Sequence, residues 1–99
     1  MWYIEFSSQA RRDAKYLKAA HLDTKAKALI ELLRADPFAK PPRYEALVGN
    51  LSGYYSKRIN IQHRLVYLVC QEPFTSNGAH YEGRVKVLRM WTHYDGISS

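Results

Sequence analysis

The chain has 99 residues and a mass of 11.5 kDa, room for one domain with one modest core. Apolar residues make up 46% and charged residues 24%, which excludes an intrinsically disordered chain, and no apolar run approaches the roughly 18 residues of a membrane span. Fifteen Lys and Arg against nine Asp and Glu leave a net charge of +6, which suits a polyanionic partner such as nucleic acid, a membrane surface or an acidic protein.

Trp2 to Phe6 alternates β-formers, with Trp2, Ile4 and Phe6 to one side, and reads as a short strand. The start has neither the basic nor the apolar region of a signal peptide, so a cytoplasmic protein is expected. Ser7-Ser8 offers N-cap oxygens to a helix beginning near Gln9, with Ala10, Ala14 and Leu17 on one face. Arg11, Arg12, Lys15 and Lys18 take the other faces. His21-Leu22-Asp23 interrupts the pattern, and Asp23 or Thr24 is placed to cap a second helix whose stripe is Ala26, Leu29, Ile30 and Leu33. Asp36-Pro37 ends it, because the residue before a proline is pushed out of the helical region. Three prolines make residues 37–43 a loop.

The rest of the chain turns to β-formers. Tyr54 to Ile61 and His63 to Cys70 read as consecutive strands with a tight connection near Asn60–Gln62. Glu72 to Gly83 reads as a long hairpin loop, and Arg84 to Tyr94 as a last strand burying Val85, Val87, Leu88 and Met90. Cys70 follows Val66, Leu68 and Val69 and is expected to be a small buried hydrophobe; being the lone cysteine, it leaves no internal disulfide. The whole is a single α+β domain over residues 1–99, with helices on one face of a sheet.

Chemistry concentrates late in the chain. No acid lies between Glu45 and Glu72, while Lys57, Arg58 and Arg64 do. Arg58 and Arg64 sit on strands that must be hairpin neighbours; an odd connection puts both guanidiniums on one face, a repulsive arrangement unless an anion such as a phosphodiester lies between them. His93-Tyr94 ends the last strand, and a histidine there is suited to donating a proton to a leaving oxygen. Glu45 is the only carboxylate between Asp36 and Glu72, suited either to general-base work or to pairing with Arg43 or Arg58. Tyr44, Tyr54, Tyr55, Tyr67 and Tyr94 are candidates for stacking on bases or for core packing. His63 and His80 have no metal-ligand spacing with each other or with Cys70, so no cofactor is expected.

The run Glu45-Ala46-Leu47-Val48-Gly49-Asn50-Leu51-Ser52-Gly53-Tyr54-Tyr55-Ser56-Lys57-Arg58-Ile59-Asn60, continued by His63-Arg64-Leu65-Val66-Tyr67 and closed by Met90-Trp91-Thr92-His93-Tyr94, resembles the YoeB/Txe family of toxins within the RelE/ParE superfamily. The resemblance spans residues 1–94, with 95–99 as a tail. It implies two N-terminal helices on a twisted, mainly antiparallel sheet of four to five strands, similar to small microbial ribonucleases. It also implies a ribosome-dependent endoribonuclease that cuts mRNA in the ribosomal A site.

Carried over by position, Glu45 matches the general base, His93 the general acid, Arg64 the arginine that stabilises the scissile phosphate, and Tyr94 the tyrosine that helps place the nucleotide. Arg58, with Lys57 and Tyr55, is expected at the phosphate and RNA. The implied partners are a cognate antitoxin of the YefM/Phd type or another acidic, partly disordered protein, the 70S ribosome with mRNA, operator DNA through the antitoxin alone, and a second copy of the chain; no membrane is implied. Two rival readings use the same scaffold: a non-catalytic toxin of ParE type acting on DNA gyrase, and an inactive antitoxin-binding module. Many family members carry lysine where Val48 stands.

Overall fold

The computed structural model describes residues 1–47 and 53–91. Its elements in chain order are β1 (Tyr3–Phe6), α1 (Ser8–Ala19), α2 (Asp23–Ala35), β2 (Tyr44–Ala46), β3 (Tyr54–Arg58), β4 (Arg64–Cys70), β5 (Phe74–Ser76), β6 (Ala79–Tyr81) and β7 (Arg84–Arg89). Five strands form a sheet in the order β1-β7-β4-β3-β2, antiparallel except where β1 runs parallel to β7. This is the expected RelE-like α+β arrangement, with the helices packed on the sheet. The expected loop over residues 72–83 contains a small sheet of its own, β5 with β6, turning at Asn77-Gly78 where both residues have positive φ.

The Ser7 hydroxyl starts α1: its Oγ accepts the Ala10 N–H at 3.0 Å and donates to the Leu88 carbonyl at 2.7 Å, so one residue caps the helix and ties it to the sheet. At the far end, His21 at φ 60° turns the chain so that the Leu22 N–H reaches the Leu17 carbonyl. The sequence expectation errs here in two details. The second helix begins at Asp23 after Leu22, without a side-chain cap, and Asp23 serves its first turn as an acid on the helix dipole. On α1 the buried set is Ala10, Asp13 and Leu17, and Ala14 is exposed.

Ala26, Leu29, Ile30 and Leu33 of α2 meet Leu65, Tyr67, Val85 and Val87 of the sheet, with Trp2, Ala10, Leu17, Ile59 and Met90 completing the core. Each large aliphatic member removed from water contributes about 1.5–3 kcal/mol. Strand alternation sends Tyr67 and Val69 into this layer and Leu68 and Cys70 to the other side. Cys70 closes β4 and is exposed, which overturns its reading as a buried hydrophobe. At Gly83 there is no room for a side chain, since a Cβ would fall 2.2 Å from the Cys70 carbonyl and 2.5 Å from the Trp2 ring.

Tyr67 is fully buried and donates its phenol hydrogen to the Pro37 carbonyl at 2.8 Å, pinning the loop after α2 to the sheet. Burial pushes its pKa well above 10.0, with Tyr44, Tyr55 and Asp36 adding to the rise. The folded state therefore holds this proton at a pH where the unfolded chain has released it, and stability falls once the pH exceeds the unfolded value. Urea unfolding should show a loss of about 1.4 kcal/mol per pH unit above pH ~10 from this one group. Tyr67→Phe should remove that slope, and an unchanged slope would assign it elsewhere.

Candidate active site

Antiparallel register aligns the chemistry-bearing residues. Glu45 of β2 lies opposite Ser56 of β3, and Arg58 of β3 opposite Arg64 of β4. The connection from Ile59 to His63 has the odd length that the shared-face reading requires, and it is locked by Asn60, whose Oδ1 accepts the Gln62 and His63 N–H groups at 2.9 and 2.7 Å. Alternation along β3 keeps Ser56 and Arg58 on one face and turns Tyr55 and Lys57 to the other.

Arg64 is the driest cation of the face, its side chain 8% exposed. A guanidinium cannot shed its charge, so burial demands acceptors. Its Nη2 lies 3.0 Å from Glu45 Oε1, and its Nε donates to Ser56 Oγ at 3.0 Å. Glu45 remains 34% exposed, so its carboxylate meets both the guanidinium and solvent. Arg43 stands at the rim, 3.8 Å from the same oxygen and largely exposed, a pair worth little in water. Arg58 is exposed and, with Lys25, Leu29, Pro42 and Ile61, borders an apolar groove against α2.

Lys57 and Tyr55, expected beside the arginines, lie on the opposite face. Lys57 is fully buried across from Leu65, and its Nζ donates to the Ala39 and Pro42 carbonyls. Burial pushes its pKa below the usual lysine value, against the upward pull of Asp36, and Lys40 lowers it further. Its place is thus to hold the 37–43 loop rather than to meet RNA. The Tyr55 ring packs in an aromatic cluster with Phe38, Tyr44 and Tyr67, at centroid distances of 5.3, 5.8 and 5.9 Å. His93, Tyr94 and Val48 lie outside the described residues.

Three residues that sequence reasoning left without a role shape this region. Ser56 is buried between the strands of Glu45 and Arg64; an alternation count back from Arg58 on the same strand would have found it. Asp13, 1% exposed on α1, accepts at one oxygen from the Met90 N–H (2.9 Å), the Trp91 N–H (3.3 Å) and Arg89 Nε (3.1 Å), while Gln9 Nε2 donates to the other at 3.1 Å. Its spacing with Ala10 and Leu17 was the available signal. His63 stacks on Trp91 with ring centroids 3.8 Å apart, and Tyr16 of α1 stacks on Trp91 at 5.8 Å. The chain is thus gripped two residues before His93. Arg11, Arg12, Lys15, Lys18, Lys25 and Lys27 are all exposed along the helices.

Among known proteins, a family model described as a YoeB-like toxin of the bacterial type II toxin–antitoxin system matches residues 6–94. Toxin YoeB of Synechocystis is 44% identical over 59 residues, a match covering 60% of this chain and 62%, under two thirds, of that relative. Among solved structures, the YoeB/ParE toxin from Agrobacterium tumefaciens superposes with a TM-score of 0.73 at 28% identity, over 93% of this chain and 99% of that one. The YoeB–YefM complex from Staphylococcus aureus matches with a TM-score of 0.69 at 31% identity, over 95% and 99% of the two chains.

Proposed function

Since this chain belongs to the family of YoeB-like toxins of bacterial type II toxin–antitoxin systems, we propose that it is an mRNA interferase, an endoribonuclease that cuts mRNA in the ribosomal A site and so arrests translation. One observation carries the reading: a partly exposed carboxylate, Glu45, lies 3.0 Å from a buried guanidinium, Arg64, on the sheet face turned away from Tyr67 and the core. A base touching the group that meets phosphate charge is the minimum a transesterification needs.

In this reading Glu45 takes the proton of a ribose 2′-hydroxyl, and the oxygen attacks the adjacent phosphorus in line. Arg64, aided by Arg58, meets the charge growing on the non-bridging oxygens. His93 gives its proton to the leaving 5′-oxygen as the P–O bond breaks, and Tyr94 helps place the nucleotide. The products are a 2′,3′-cyclic phosphate, opened by water to a 3′-phosphate, and a 5′-hydroxyl. The exposed cations of α1 and α2 face ribosomal RNA. By likeness to the S. aureus relative, which is in complex with YefM, the restraining partner is an acidic, partly disordered antitoxin that folds on this basic surface. Operator DNA is contacted through that antitoxin, and a second copy of the chain is a further partner.

The test is primer extension on a defined mRNA with purified protein, with and without programmed 70S ribosomes, alongside Glu45→Ala and His93→Ala. Cuts in the A site that need ribosomes and fade by about a hundredfold or more in both variants are expected. A well-folded wild type that makes no cuts would overturn the reading and turn attention to gyrase.

A further inference from the structure

We propose that Ser56 is a positioning residue for Arg64, holding its guanidinium so that the fork does not close on both oxygens of Glu45; this rests on the interferase reading above. Ser56 is 0% exposed in the middle strand of three, directly across from Glu45 on one side and one diagonal step from Arg64 on the other. Its Oγ accepts Arg64 Nε–H at 3.0 Å while Arg64 Nη2 lies 3.0 Å from Glu45 Oε1.

The consequence follows from the shape of guanidinium. Its Nε–H and the neighbouring Nη2–H form a side-on fork that matches both oxygens of a carboxylate. With the hydroxyl holding Nε, that fork is split: Nη2 goes to Glu45 Oε1 and Nε to the hydroxyl, so the fork does not close on the carboxylate. Without the hydroxyl, the fork is open to close on both Glu45 oxygens, which would engage base and phosphate-binding cation with each other. A serine here therefore keeps two catalytic groups adjacent yet unlocked. Neither leucine nor alanine at this buried strand position would do so, since neither carries an acceptor for Nε–H.

Three variants separate hydroxyl, volume and fold: Ser56→Ala removes the acceptor, Ser56→Cys keeps the volume with a poor acceptor, and Ser56→Thr keeps the hydroxyl on a good strand former. Single-turnover A-site cleavage should fall about tenfold in Ala and Cys and stay within about threefold of wild type in Thr, with ribosome affinity unchanged. In an Arg64→Lys background, which has no Nε–H to hold, Ser56→Ala should change the rate less than twofold. Nitrogen-15 spectra give a readout independent of activity: the Arg64 Nε–H signal should be slow to exchange in wild type and Thr, and lost to exchange in Ala.

A tenfold loss that persists in the Arg64→Lys background would make Ser56 merely structural and overturn the proposal. So would a Ser56→Ala rate within twofold of wild type, or an Arg64 Nε–H signal unmoved by that change. If the wild type does not cut mRNA at all, the interferase reading fails and the catalytic role falls with it, whereas the spectra still decide whether Ser56 orients Arg64.

Discussion

Arg64→Ala should reduce single-turnover A-site cleavage by about a thousandfold while leaving ribosome association within a few-fold of wild type. A preorganised donor aimed at developing charge typically accounts for ~10²–10³ in rate, and Arg64 has two features that place it at the upper end. Its side chain is 8% exposed, so its charge acts where water screens little. It also contacts Glu45, so its removal disturbs the neighbouring base as well. In the proposed function, ribosome association would draw on the exposed cations of the helices and of Arg58, which the substitution leaves in place. Arg64→Lys should recover only part of the rate, because an ammonium cannot donate to Ser56 and Glu45 in the fixed geometry of a fork. Sedimentation of the variants with 70S ribosomes, run beside primer extension, decides the matter. Affinity lost in proportion to rate would make Arg64 a docking residue.

Asp13→Ala should cost about 3 kcal/mol of unfolding free energy. The Asp13 carboxylate is 1% exposed and takes four hydrogen bonds from three places: Gln9 of its own helix, the Arg89 side chain at the end of β7, and the Met90 and Trp91 N–H groups just beyond that strand. Truncating it strands the Met90 N–H in a dry position and leaves Arg89 half-buried without its carboxylate. Asp13→Asn keeps one acceptor oxygen for the backbone and gives up the charge, so it should lose about half as much. Urea unfolding measures both. A loss below about 1 kcal/mol for Ala would show that the end of β7 holds without the helix. Because Trp91 precedes His93 by two residues, cleavage at a temperature where Asp13→Asn is fully folded reports whether the same grip serves the chemistry.

These two residues mark how differently fold and site are written in the chain. Where apolar spacing alone decides an element, the sequence is sufficient: the α2 stripe at Ala26, Leu29, Ile30 and Leu33 is buried as the 3, 4 period requires. The stop at Asp36-Pro37 and the Ser7 cap are equally local, because proline sterics and one hydroxyl decide them. The odd connection between Arg58 and Arg64 is likewise countable along the chain, and the register agrees with it.

The tertiary structure decided the rest, for reasons of contact across distant segments. That α1 buries Asp13 and exposes Ala14 depends on backbone N–H groups at residues 90 and 91, far along the chain, needing an acceptor there. That Lys57 is a loop anchor depends on the carbonyls of Ala39 and Pro42 arriving over its strand, which charge counting along the sequence does not reveal. Exposure of Cys70 needs both the parity of β4, which turns it away from Tyr67, and its place at the end of the strand, since Val66 of the same parity is buried. The residue types named for the site came from a motif, but the division of labour among Glu45, Ser56 and Arg64 came from three strands meeting in one register. Local propensity is set by near neighbours, whereas the acceptor that a buried charge needs is supplied by whichever segment folds beside it.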